Sequence, residues 1–234
     1  MPTEEQLLEI HRLALLGGVA NIAQDVTGRL ADAWTGVSRF REVRDLCLKT
    51  LALGRVPDTL VYLARAKRVL GAVEEALRLY LEALKMYEEA GDRAGLAATL
   101  NNIGLVYDGT GQPAQALEYY RKALTIREEV GDRAGLATAL NNIGLVYDRT
   151  GQPAQALEYY HKALPIREEV GDRTGERVTR YNMAMLYREQ GQLREAMEEL
   201  RHVVELDEQV QSPDLESDRA MLAQVEAELG MHQE

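Results

Sequence analysis

The sequence predicts an all-α fold, an α-solenoid of antiparallel helix pairs, and three observations carry that prediction. The first is a repeat. Residues 96–135, LAATLNNIGLVYDGTGQPAQALEYYRKALTIREEVGDRAG, recur at 136–175 with six changes, at Thr138, Ala139, Arg149, His161, Pro165 and Thr174. A fixed period of this length marks a stacked architecture in which each unit contacts only its neighbours. The second is periodicity. Leu100, Ile103, Gly104 and Tyr107 fall at i, i+3, i+4 and i+7, and Ala116, Leu117, Tyr120, Ala123 and Leu124 form a second such face. The third is that no alternating strand pattern competes, in a chain dominated by Ala, Leu, Glu and Arg.

Each element follows from local signals. Residues 1–22 hold a helix from Leu7 to Leu16, read as the second helix of an incomplete unit, and Gly17-Gly18 reads as its end. Residues 23–55 are a divergent copy. Leu30, Ala31, Phe40, Glu42, Leu48 and Leu51 match Leu63, Ala64, Val73, Glu75, Leu81 and Leu84 at an offset of thirty-three. Four forty-residue copies follow at 56–95, 96–135, 136–175 and 176–215, tied together by Gly71, Gly111, Gly151 and Gly191 and by Ala76, Ala116, Ala156 and Ala196. Within a copy, Thr110-Gly111-Gln112 separates the two helices. Pro113 suits the first turn of the second, where its missing N–H has no partner to lose. Gly131 offers the left-handed end of that helix and Asp132 an N-cap for the next. Residues 216–234 read as a capping helix and tail, made polar on one side by Asp218, Arg219, Gln224, Glu226 and Glu228.

Leu100, Gly104, Tyr107, Gly111, Ala116, Tyr120 and Ala123, repeated at Leu140, Gly144, Tyr147, Gly151, Ala156, Tyr160 and Ala163, resemble the tetratricopeptide repeat. That resemblance covers about residues 23–230 and implies a right-handed superhelix. Six extra residues around Glu128 to Arg133 lengthen the usual thirty-four-residue unit. The longer form is similar to the repeats of Pins-type adaptors, kinesin light chains and the sensor arrays of large bacterial signalling ATPases. Two positions depart from the pattern: Lys67 stands where Tyr107 does, and Arg180 where Leu100 does. Either local packing differs there or the long side chains reach water along their stems. Pro165, at the place of Thr125, lies inside a predicted helix and should bend it at a cost of about 3 kcal/mol.

Composition narrows the function classes. A net charge of −11 argues against nucleic acid as the main partner. Residues 29–70 hold nine Arg and Lys against four acids, while 71–234 hold seventeen against thirty, so a basic end could receive an acidic partner. The Glu-Glu pairs at 88–89, 128–129 and 168–169 read as solvated faces. No apolar run reaches membrane length and no signal peptide is apparent, so no membrane partner is expected. A lone cysteine, Cys47, in the slot of Tyr120, reads as a buried packing thiol and points to a cytoplasmic location. No catalytic site, metal site or cofactor is expected. His11, His161, His202 and His232 form no ligand pair, and no phosphate loop is present.

The expected function is that of a non-enzymatic interaction scaffold. At 100° per residue, the helix face opposite Leu100, Ile103 and Tyr107 carries Asn101, Asn102, Leu105 and Asp108. The resemblance implies that these positions line a concave groove. Asn102, Asn142 and Asn182 form a ladder there, with Asn101, Asn141 and Tyr181 beside it. Asp108, Asp148 and Arg188 form another column, and Arg65 and Arg68 extend the face toward the basic end. An amide offers both donor and acceptor, so a ladder can pair with a peptide backbone. Arg65, Arg68, Arg149 and Arg188 could hold carboxylates, and Leu105, Leu145 and Met185 offer apolar contact. The partner is thus a protein or peptide of unassigned identity. Two alternatives are a sensor segment of a larger bacterial signalling ATPase and a self-assembling solenoid, the latter with self-association. The polar side of the last helix disfavours open-ended stacking at that terminus.

Overall fold

A computed structural model describes residues 2–231; His232 and the rest of the expected tail lie outside the described residues. The described chain is helical, with no strand among the described residues. In order the helices are α1 (Glu4–Leu16), α2 (Ala20–Gly36), α3 (Phe40–Leu51), α4 (Pro57–Val69), α5 (Val73–Ala90) and α6 (Arg93–Gly109). They continue with α7 (Pro113–Val130), α8 (Arg133–Arg149), α9 (Pro153–Val170), α10 (Arg173–Glu189), α11 (Leu193–Val210) and α12 (Leu215–Met231). They form two compact units, Met1–Tyr119 and Tyr120–Glu234, with the division inside α7.

In the first unit each helix touches the next from α1 to α6, and α2 also meets α4, and α4 meets α6. The second unit repeats this: α8 packs on α9, α9 on α10, α10 on α11 and α11 on α12, while α8 also meets α10. These are the helix pairs the sequence predicts. The forty-residue period holds, but its helices start at 93, 133 and 173, three residues before the expected unit boundaries.

The turns explain why the pairs form. Gly111 and Gly151 sit at φ 73° and 72° between paired helices, and Gly131 and Gly171 at 71° and 69° between copies, a conformation that side chains resist. Ser38 and Gln211 adopt it without being glycine, at φ 61° and 52°. Asp92, Asp132 and Asp172 each cap the following helix, accepting from Gly95, Gly135 and Gly175 N–H at 2.9 Å. Thr3 and Gln6 close a capping box on α1. Helix α9 runs unbroken through Pro165, which lies on its exposed side, where water can take the forfeited bond.

The core is a set of columns. Cys47, Tyr80, Tyr120, Tyr160 and Leu200 occupy one slot of the second helices, and each is fully buried. Burial pushes the Cys47 thiol up to about 12, so it is a packing group and not a nucleophile. Small residues face this slot. A Cβ on Gly144 would stand 2.6 Å from the Tyr160 ring, which is why the helices can approach so closely. Val225 of α12, fully buried, takes the slot of Ile143 and Met183 at a spacing of forty-two, two residues beyond the period. Helix α12 is therefore a lone helix of the first type, seated on α11.

The two departures resolve as local ion pairing. Lys67 Nζ lies 2.5 Å from Glu75 Oε2. Arg180 is nearly buried and bonds three carboxylates, Glu168 at 2.5 Å, Glu176 at 3.1 Å and Glu199 at 2.9 Å. Each side chain ends on a carboxylate of this chain, Lys67 at the surface and Arg180 largely buried. The Glu-Glu pairs are exposed as expected, with Glu169 paired to Arg133 and Glu168 to Arg180.

Candidate functional site

The expected ligand-facing residues lie on first helices, and each unit presents its own set. In the first unit Arg65 is exposed on α4. Arg68 is half-buried, its guanidinium beside the buried Tyr80 hydroxyl and its Nε without a hydrogen-bond partner. On α6, Asn102, Leu105 and Asp108 are half-buried. On α8 and α10 of the second unit, Asn142, Leu145, Asp148, Asn182 and Met185 are half-buried and Arg149 is exposed.

Two expectations need correction. Asn101 and Asn141 do not stand beside the ladder as ligand contacts: they are 8 % and 4 % exposed. Asn141 Oδ1 accepts from Thr179 Oγ1 at 3.1 Å, tying α8 to α10. A helical wheel places Asn141 opposite the core of its own pair, but α10, the next first helix, covers it. Tyr181 in the same column packs with Met185 against the apolar cluster of Ala184, Leu200 and Val225. The second correction is Arg188. It holds a carboxylate of this chain, donating to Glu228 of α12 through Nε at 3.0 Å and Nη2 at 2.5 Å. Its guanidinium is committed to the cap and not held open for a ligand.

Ionisation follows from these surroundings. Burial, reinforced by Glu189 and opposed by Arg149, raises the Asp148 carboxyl above its ordinary value. Around Arg177 three carboxylates converge: Asp207 lies 3.3 Å from Nε, Asp214 3.2 Å from Nη2 and Asp218 3.3 Å from Nη1. One guanidinium cannot neutralise three acids. Burial, and then hydrogen bonding to the fully buried Asp207, push Asp218 up to about 6.

This cluster borders the pocket that matters for the ladder. A pocket of about 270 Å³ between α10 and the start of α12 is lined by Arg177, Val178, Tyr181, Asn182, Asp214 and Asp218. Asn182 Nδ2 is buried and has no hydrogen-bond partner. A buried donor left open is costly, so it marks a place where an acceptor belongs. Sequence reasoning reached Asn182 and Tyr181 but missed Arg177, Asp214 and Asp218. The signal was present. Ala137 becomes Arg177, and the slot of Leu136 becomes Glu176 and then Asp218, so charge enters apolar columns there.

No group of three His, Cys, Asp or Glu placed to hold a metal occurs among the described residues. No helix among them is long and apolar enough to cross a membrane.

Known proteins share the architecture. No curated protein matches the sequence. The structure is similar to that of BtubC from P. vanneervenii, with a TM-score of 0.72 and 21 % identity over 88 % of each chain. It is similar to a putative kinesin light chain from Podospora anserina with nearly identical TPR-like repeats, at a TM-score of 0.60 and 19 % identity, covering 79 % of this chain and 95 % of that one. It is also similar to aspartyl phosphate phosphatase F from Bacillus subtilis, at 0.63 and 15 %, covering 88 % of this chain and 60 % of that one. At such identities the likeness concerns the fold alone. The family profile goes further, matching residues 55–129 and 132–209, from α4 into α7 and from α8 into α11. With most of its helix pairs so matched, the chain belongs to the tetratricopeptide repeat family, whose members are typically non-enzymatic scaffolds for protein–protein interaction.

Proposed function

We propose that the chain is an interaction scaffold that holds a peptide or protein segment on the first-helix face of Asn142 and Asn182, the face matching the concave groove of the family. Asn102 offers the same face in the first unit. One observation carries this reading: the buried, unpartnered Nδ2 of Asn182 in the pocket beside Tyr181 and Arg177. A peptide carbonyl supplies the acceptor this donor lacks. The Tyr181 ring gives apolar contact, and Arg177, held by three carboxylates, favours no fourth acid. The segment is therefore read mainly through its backbone, with specificity added by Leu145, Met185 and Arg149.

The test uses peptides selected from a random library on the immobilised chain and measured by calorimetry. Asn182→Ala should weaken them about tenfold, or about 1.4 kcal/mol, and Asn142→Ala with Asn182→Ala more. Unchanged affinity for the double variant would remove the ladder from the mechanism.

A further inference from the structure

One copy lacks a ring that every other copy has. Between paired helices, Tyr107 stacks on Tyr119 with ring centroids 5.3 Å apart, and Tyr147 on Tyr159 at 5.5 Å. The first member of this pair is Trp34, Lys67, Tyr107, Tyr147 and Tyr187 along the five copies, and the second in the 56–95 copy is Leu79. Lysine and leucine thus replace two aromatic rings between α4 and α5.

Leu79 packs against buried clusters on both sides, and a cavity of about 580 Å³ remains beside it and Lys67, lined also by Leu48, Leu51 and Leu63. That volume lies in the range of small-molecule sites, which are mostly apolar with a few polar groups fixing orientation. The rim is charged and unbalanced. Lys67 is taken by Glu75, and Arg55 donates from Nη2 to Glu82 at 2.6 Å. Arg78, also on the rim and exposed, bonds no carboxylate among the described residues, although its charge helps to hold Glu75 ionised. Three cations against two carboxylates leave a local surplus of positive charge on a chain whose net charge is −11.

We propose that this cavity binds an aromatic carboxylate. The ring enters the space left by the missing tyrosine pair, against the leucine floor, and the carboxylate meets the planar guanidinium of Arg78 at the mouth. Arginine suits that role because its fork matches a carboxylate and it is always charged. The site shares no residue with the asparagine face and does not depend on the reading of that face.

The experiment titrates the native chain, with leucine methyls labelled, against 3-phenylpropionate and its neutral amide by NMR. Saturable shifts are expected at the Leu48, Leu51, Leu63 and Leu79 methyls, with the amide at least threefold weaker. Arg78→Glu, an exposed change that leaves the fold intact, should weaken the acid at least fivefold. Lys67→Tyr with Leu79→Tyr rebuilds the stacked pair of the neighbouring copy and should abolish the shifts. The proposal is overturned if the native chain shows no saturable shift, if acid and amide bind equally, or if Arg78→Glu or the rebuilt pair binds as the native chain does. Should the rebuilt pair fail to fold, the Arg78→Glu and amide comparisons decide.

Discussion

In α8, Leu136 and Leu140 lie buried with Ala163 and Ile166 of α9; forty residues on, the same two slots hold Glu176 and Arg180. Tyr159, stacked on Tyr147, becomes Glu199, which bonds Arg180. Arg167, which bonds Asp172 at 2.9 Å, becomes Asp207, which faces Arg177. The helices of the two copies keep the same bounds forty residues apart, so helix stacking depends on slot volume and on local charge closure, not on apolar character as such. The energetics differ. A buried leucine contributes about 1.5–3 kcal/mol wherever it is placed. A buried ion pair roughly balances attraction against desolvation and becomes a liability once a partner is lost. The last copy therefore depends on its own neighbours, Glu199 and α12, whereas the copy before it is built from residues that any sister copy could meet.

The strongest way to break this contrast is Arg180→Ala, which leaves the buried Glu176 with Arg173 alone and takes the cation from the half-buried Glu199. It should cost about 3–5 kcal/mol, read as a lower urea midpoint. Replacing the set with the residues of the preceding copy, Glu176→Leu with Arg180→Leu and Glu199→Tyr, should match native stability or exceed it by about 1–4 kcal/mol. A triple variant as weak as the single one would mean that the slots are not equivalent. Asp218→Asn sharpens the contrast through pH. The folded chain holds the Asp218 proton up to about pH 6, whereas the unfolded chain releases it near 3.9. Between these values the native state carries the extra proton, so stability falls as pH rises from about 4 to about 6, by about 2 kcal/mol. Measured against the native chain, the asparagine variant should lack that fall; an unchanged slope would place the proton elsewhere. The smallest effect is expected at Gln211, whose φ of 52° occupies the slot of Gly131 and Gly171. Gln211→Gly should stabilise by about 1 kcal/mol in thermal unfolding, and a loss would show that the glutamine side chain contributes more than its strain costs.

Much of the fold was legible because near-identical copies present near-identical surroundings. The turn glycines, the capping aspartates, the buried Tyr120 and Tyr160 slot and the packing role of Cys47 all follow from patterns within a few turns of chain. The site was legible only in part. Asn182, Asn142 and Asn102 are half-buried on first helices. Asn141 was misplaced because a helical wheel contains only its own helix, and the covering Thr179 belongs to the next copy. Arg188 was misplaced because Glu228 lies on α12, where the period has slipped by two residues. Lys67 stood out in the sequence as a departure, but whether its neighbours would close around it could not be read there.

By itself, then, the sequence determined the helix pairs, their order and the slots each residue would enter, since helical periodicity and turn chemistry act over short separations. Tertiary structure decided which of the polar side chains remain available to a ligand. Asn141 is spent on Thr179, Arg188 on Glu228 and Arg180 on three glutamates, while Asn182 Nδ2 is left over. That outcome depends on which helices come to lie side by side and how closely, because hydrogen bonds and ion pairs require contact within a few ångströms, and no pattern along one helix contains that distance.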